Sequence, residues 1–262
     1  MKPKSCFLVA APFSGARVLA DYLVKNYDYN SGASNLPSLL DPSMSSYEDK
    51  WISYMNQFII KQIPGMDQIL VADSWKHPFP SHYTIQNSLC TETTCFDRIV
   101  QSFSRRPFLI KDPNVSRMLP LWAKGLDVRN GDTEIIYIIR HPSDFVLSLC
   151  AILNGTGVKP TQEYGLKLWL SYVDAMIRSY TTMPQSVVEH AWWFTLPQLC
   201  TTKGRDMLHK CLGLSDSSKW PFNVCRIRYS SSNTFDSKGC RDAWRDMLQF
   251  TLETEYRVAV LD

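Results

Sequence analysis

"EIIYIIRHPSDFVLSL", residues 134–149, decides how this chain is read. After its opening acid it is an unbroken apolar run, the pattern of a strand buried on both faces rather than a half-exposed one. The run ends abruptly in Arg140, His141 and Pro142, and proline at a first helical position marks where a helix begins. The strand therefore delivers a guanidinium beside the positive end of a helix, and both attract a phosphate. The planar fork of arginine donors can grip such a group bidentately. Ser148 lies eight residues beyond Arg140, about two helical turns, and can offer a hydroxyl to the same group. The competing reading of Arg140 is an arginine that pairs with a carboxylate near the sheet edge.

Working outward, residues 5–11 (SCFLVAA) read as another buried strand, Pro12 to Gly15 as a turn, and 16–27 as a helix. Residues 28–50, rich in Ser, Asn, Pro and Gly, read as a loop or lid, with helical pattern returning at about 47–62. ILVAD (69–73) is a strand candidate, 74–91 is irregular, and 92–104 is helical. PFLIKD (107–112) reads as a strand closed by Asp112-Pro113, followed by helix over 114–124. The strongest strand is 133–140, with helix from Pro142 and a long amphipathic helix over 162–181. SVVEHAWW (186–193) predicts a strand, 195–211 a helix, CRIRYS (225–230) a weaker strand, and the last twenty residues mostly helix. Helices alternating with apolar-run strands indicate a parallel sheet covered on both faces. In such sheets ligands sit beyond the carboxyl ends of the strands, here 12–17, 73–77, 111–114 and 140–148.

The chain has 262 residues and no Pro/Gly/Ser linker, charge block or internal repeat, so a single domain over 1–262 is expected. A net charge of +3 is too small to argue for nucleic acid, and fits a modest anion-binding patch. The eight cysteines form no CxxC pair and no Cys/His cluster with zinc-ligand spacing, so no metal is expected. Free thiols in a reducing compartment follow from a chain too long to need staples. The N-terminal stretch mimics a signal peptide, but Pro12, Ser14, Gly15 and Arg17 break its apolar run, which fits a first strand entering a turn. No later segment reaches the ~18 uninterrupted apolar residues of a membrane span. The expectation is a cytoplasmic protein, monomer or homodimer, with no nucleic-acid or membrane partner. The sequons at Asn114 and Asn154 then carry no weight.

The Arg140…Ser148 spacing on a strand–turn–helix, with Asp144 inside it, resembles the 3′-phosphate-binding motif of sulfotransferases that use 3′-phosphoadenosine-5′-phosphosulfate (PAPS). "FLIKDPNVSRMLPLW" (108–122) is similar to the Lys-Asp-Pro segment of bacterial-type members, and "LKLWLSYVDAM" (166–176) to their Leu-Trp-x-x-Tyr helix. Residues 186–214 resemble their later strand and helix, and "TFDSKGCRDAW" (234–244) the Phe-x-x-Lys-Gly…Trp segment that closes over the nucleotide in cytosolic members. The resemblance implies a P-loop-containing nucleoside-triphosphate-hydrolase-like α/β fold, a central parallel sheet flanked by helices. It also implies PAPS as donor, leaving 3′-phosphoadenosine-5′-phosphate (PAP), and a small-molecule acceptor. By it Arg140 and Ser148 hold the 3′-phosphate, and Lys238 and Gly239 lie over the nucleotide.

The family's first loop, Pro-(Lys/Arg)-Ser-Gly-(Thr/Ser)-(Thr/Ser), is altered. Here it is Pro12-Phe13-Ser14-Gly15-Ala16-Arg17: Ser14 and Gly15 match, the cation is replaced by Phe13, and the hydroxyl pair by Ala16 and Arg17. Backbone N–H groups at a helix start can still cradle a phosphosulfate, and Gly15 permits close approach. Arg17 is either a replacement charge or a solvated arginine of the first turn. Lys111 matches the lysine that points at the transferring sulfonate. A base must take the acceptor's proton; cytosolic relatives use a histidine where this chain has Pro113, leaving Asp112, His77 and His82 as candidates. Trp75, Phe79 and Tyr83 fall near the expected mouth of the site and can line an acceptor pocket. Two other readings compete. A kinase lacks support because no G-x-x-x-x-G-K-[ST] loop is present. A PAPS- or PAP-binding protein of the same fold that no longer transfers sulfonate is the alternative raised by the altered loop.

Overall fold

A computed structural model of the chain describes residues 2–32, 35–37, 45–62, 93–126, 128, 131–154, 161–215, 220–222 and 238–253. In chain order the elements are β1 (Ser5–Ala10), α1 (Ala16–Tyr27), β2 (Asn35–Pro37), β3 (Ser45–Asp49), α2 (Lys50–Gln62) and α3 (Thr93–Ser102). Then come β4 (Leu109–Lys111), α4 (Val115–Gly125), β5 (Thr133–Ile139), α5 (Pro142–Asn154) and α6 (Gln162–Thr182). The order finishes with α7 (Gln185–Val188), β6 (Ala191–Thr195), α8 (Leu196–Leu199), α9 (Thr202–Leu212) and α10 (Lys238–Glu253).

The expected central parallel sheet flanked by helices is present, with strand order β4-β1-β5-β6 and every neighbour parallel. Leu8 of β1 lies opposite Lys111 of β4, and Ala10 opposite Ile138 of β5. Both central strands are buried at every residue, which is why they read as apolar runs without alternation. Successive side chains feed two cores. Phe7, Val9, Ile135, Tyr137 and Ile139 pack with Trp122 of α4, Phe145 of α5 and Trp169 of α6. Cys6, Leu8, Ala10, Ile136 and Ile138 pack with Leu19 and Leu23 of α1 and Leu208 and Leu212 of α9. Glu134, the second residue of β5, is buried at the amino edge, where Lys4 Nζ lies 2.5 Å and Trp192 Nε1 2.8 Å from its carboxylate oxygens.

Several boundaries differ from the sequence expectation for local reasons. Residues 28–50 are not all loop, because β2 and β3 pair antiparallel within them. The helix expected from about 47 starts at Lys50, since Asp49 Oδ1 accepts from the N–H groups of Trp51 and Ile52 and so caps it. The strand expected over 186–193 is displaced: Gln185–Val188 is a helical turn, and the strand runs Ala191–Thr195 in register with Ile135–Ile139. The helix expected over 195–211 is two helices. Thr195 and Gln198 form a capping box on α8, Thr201 caps α9, and Gly204 presses so close to the Gln198 carbonyl that a Cβ would lie 2.0 Å from it. The strand candidates at 69–73 and 225–230 lie outside the described residues. Cys6, Cys150, Cys200 and Cys211 are free thiols. Among the described residues no helix is long and apolar enough to cross a membrane.

Candidate functional site

Three adjacent strands bring the sequence-picked residues to one edge. β1 ends in the 12–15 loop, β5 in Arg140, and β4 in Lys111. Two residues of the loop take left-handed backbone, Phe13 at φ 64° and Gly15 at φ 88°. This turns the chain sharply into α1, whose N-cap is Gly15 with no side-chain cap and whose first turn holds no acid. A Cβ at Gly15 would meet Leu196 Cδ1 at 2.8 Å and Phe222 Cε1 at 3.2 Å, so the turn is also enclosed from the α8 side. Ser14 is buried, and its hydroxyl oxygen has no hydrogen-bond partner among the described residues. The N–H groups of an uncapped helix start attract anions, and a buried hydroxyl beside them adds a donor.

Phe13, half-buried, packs its ring against the core, 6.0 Å from that of Phe145 on α5, and leaves its carbonyl to accept from Arg140 Nη1 at 2.7 Å. Arg140, half-buried, thus ties the tip of the central strand to the first loop. Its own carbonyl accepts from Trp169 Nε1 of α6 at 2.9 Å, which fixes the strand end from behind. Ser148 is half-buried on α5, whose first turn carries Asp144. His141 lies edge-on to Trp244 of α10 with ring centres 5.1 Å apart, so the C-terminal helix reaches the same edge. Lys238 and Gly239 are the first two residues of that helix. Ala16 is buried at the start of α1, and Arg17 is half-buried in its first turn, in the field of Asp21 and Tyr47.

Lys111 does not stand alone. Its Nζ lies 2.5 Å from Oε1 of Glu48 on β3, with side-chain exposures of 11% and 21%. Burial pushes the Glu48 carboxyl above its usual range; Lys111 pulls it back, and nearby Asp112 adds to the rise. Asp112 itself is enclosed. Ser53 and Asn56 of α2 and the Asn114 N–H all donate to its carboxylate, and Asn56 in turn accepts from Trp122 Nε1 at 2.8 Å. Below this layer Arg117 is buried against the Tyr172 ring at 5.9 Å; burial holds its guanidinium below the usual arginine range and pushes the Tyr172 hydroxyl up to about 12.

Glu48 is the residue that sequence reasoning missed. It lies in a segment read as loop, and its approach to Lys111 arises only when β3 packs beside β4. The segment is fastened at several points. Tyr47, at φ 57°, donates its hydroxyl to Asp21 of α1 at 2.6 Å, the Glu48 N–H reaches Ser46 Oγ at 3.2 Å, and Asp49 caps α2. His77, His82, Trp75, Phe79 and Tyr83 lie outside the described residues. The edge thus gathers an uncapped helix start with a buried hydroxyl, the guanidinium of Arg140 bonded to the same loop, and a lysine–glutamate pair at the neighbouring strand end.

No protein-family model matches the chain, and no curated protein matches it. Among solved structures it is similar to the "Sulfotransferase Domain from the Curacin Biosynthetic Pathway", with a TM-score of 0.49 and 12% sequence identity over 98% of this chain and 99% of that one.

Proposed function

We propose that this chain is a sulfotransferase that moves a sulfonate group from PAPS to a hydroxyl or amine of a small-molecule acceptor. One arrangement carries the reading. Arg140, at the tip of the central strand, is bonded to the loop after β1, beside the buried and unpartnered Ser14 hydroxyl at the start of α1. That edge offers two anion sites side by side, as a nucleotide phosphorylated at both ends of its ribose requires. Arg140 and Ser148 hold the 3′-phosphate. Backbone N–H groups of Phe13 to Arg17, with the Ser14 hydroxyl, hold the 5′ side, and Gly15 supplies the left-handed turn that leads the loop into α1. PAPS supplies the activated sulfonate when bound. Lys111 and Arg17 are the cations at hand for charge that develops as the group moves, a contribution worth ~3–4 kcal/mol for one well-placed donor. Asp112 anchors the floor of the site. Lys238 and Gly239 begin the helix that brings Trp244 over His141. The free thiols fit a reducing compartment, and we place the protein in the cytoplasm as a monomer or homodimer with no nucleic-acid or membrane partner.

A second reading is a PAPS- or PAP-binding protein without transfer. It is favoured by Phe13, which spends on core packing the position that would otherwise carry a cation. Calorimetric titration with PAP and with AMP, alongside transfer of radiolabelled sulfonate from PAPS to a panel of phenols, alcohols and amines, decides the matter. PAP bound more tightly than AMP, with label transferred, supports the enzyme. PAP bound with no transfer supports the second reading, and no PAP binding by folded protein refutes both.

A further inference from the structure

We infer that Glu48 is the general base of the proposed transfer and that Lys111 is its reciprocal partner, so that loss of the acceptor's proton releases the lysine to the leaving oxygen. The inference rests on the sulfotransferase reading and adds to it the group that takes the proton.

The geometry selects Glu48 by its surroundings. Lys111 is the cation at the end of β4, and its ammonium lies 2.5 Å from Glu48 Oε1. Asp112, next in sequence, has its carboxylate occupied by Ser53, Asn56 and the Asn114 N–H, and it is buried. Glu48 is more open than Lys111, and the ammonium of Lys111 lies against Oε1, one of its two carboxylate oxygens. The carboxyl is shifted upward, burial being the largest cause, with Lys111 and Asp112 the charged neighbours and Tyr172 in the same field. A base whose pKa rises toward neutrality is better matched to its task. The strained Tyr47 backbone, held by Asp21, and the Asp49 cap on α2 keep this carboxylate in one place.

The step balances. The acceptor O–H gives its proton to Glu48, and its oxygen forms the new bond to sulfur. The bond between sulfur and the bridging phosphate oxygen breaks, and its electron pair goes to that oxygen. Once Glu48 is neutral it no longer holds the ammonium of Lys111 as an ion pair, and Lys111 hydrogen-bonds to the leaving oxygen instead. With water as acceptor the same step is hydrolysis of PAPS, which needs no knowledge of the natural acceptor.

The test measures release of radiolabelled sulfate from PAPS by the wild type, Glu48→Gln and Glu48→Ala, with PAP affinity and thermal melting measured for each. The expected result is hydrolysis lowered by about 100-fold or more in both variants, in the range for loss of a general base. PAP affinity should stay within about threefold, and formate should restore part of the rate in Glu48→Ala but not in Glu48→Gln. Folded variants that bind PAP normally and hydrolyse PAPS as fast as the wild type, or faster, overturn the base assignment alone. Where the wild type labels one of the phenols, alcohols or amines but not water, the variants are compared on that transfer instead; wild type that binds PAP and labels neither overturns the base assignment in favour of the binding-only reading. Wild type that binds no PAP overturns the underlying reading and this inference together.

Discussion

Replacing Arg140 by alanine is the perturbation on which the reading turns. In the free protein Arg140 Nη1 donates to the Phe13 carbonyl at 2.7 Å, and the side chain is half-buried. Removing that bond loosens the first loop at a cost of about 1 kcal/mol. With PAP bound the loss is larger, because a hydrogen bond between two charged groups contributes ~1.5–3 kcal/mol and a forked contact stands at the upper end. A total of ~2.5–4 kcal/mol corresponds to PAP affinity weaker by roughly 70- to 900-fold. AMP, which lacks the 3′-phosphate, should lose only the loop contribution, about fivefold. The discrimination between the two nucleotides should therefore collapse. Arg140→Lys keeps the charge but not the fork, and should fall between wild type and alanine. Calorimetry with both nucleotides, on variants whose melting curves show a folded protein, reads the result. PAP affinity unchanged within twofold, or equal losses for PAP and AMP, would refute the placement of the 3′-phosphate at this strand end.

Other expectations follow from the same geometry. Gly15→Ala forces a Cβ to within 2.8 Å of Leu196 Cδ1 at φ 88°, and should cost ~1–2 kcal/mol in thermal melts while weakening PAP binding through the displaced loop. Asp112→Ala strands the Ser53, Asn56 and Asn114 donors in a buried place; a loss of about 3 kcal/mol should appear as a lower denaturant midpoint with an unchanged slope. Burial raises the Asp21 carboxyl, but hydrogen bonds from Lys25 and Tyr47 and the nearby charges of Lys25 and Arg17 leave it below its usual range. A depressed carboxyl contributes stability that is complete above its unfolded pKa, about 4, and is lost as pH falls through the folded value. Tyr47→Phe should thus lower stability at neutral pH by about 0.5 kcal/mol, discounted for exposure, and the difference from wild type should shrink toward pH 2.

The sheet was legible because its two central strands are buried on both faces, and an apolar run bounded by Pro12 to Gly15 or by Arg140 and Pro142 allows little else. The carboxyl-edge residues came with it, since strand ends carry ligands in this architecture whatever their sequence. Misplaced boundaries have local causes that composition does not record. The Ser46 hydroxyl and Asp49 carboxylate bond to backbone N–H groups close by, and β3 forms by pairing with β2, which local composition does not announce. The contact of Gly204 with the Gln198 carbonyl splits what periodicity joined. Glu48 was invisible for a different reason: its partner Lys111 is 63 residues away, and nothing in either neighbourhood announces the pairing.

Phe13 constrains any attempt to re-engineer the turn. Its left-handed backbone aims the ring at Phe145, and its carbonyl, rather than its side chain, faces the guanidinium of Arg140. Grafting a lysine at that position would replace the ring's contact with the core by a polar chain and set an ammonium near the guanidinium of Arg140. Phe13→Lys should therefore melt earlier than its parent and show no faster turnover. A designer who wants more positive potential at this lip would do better to lengthen reach from the helix that follows, where Arg17 already sits at the boundary between protein and solvent.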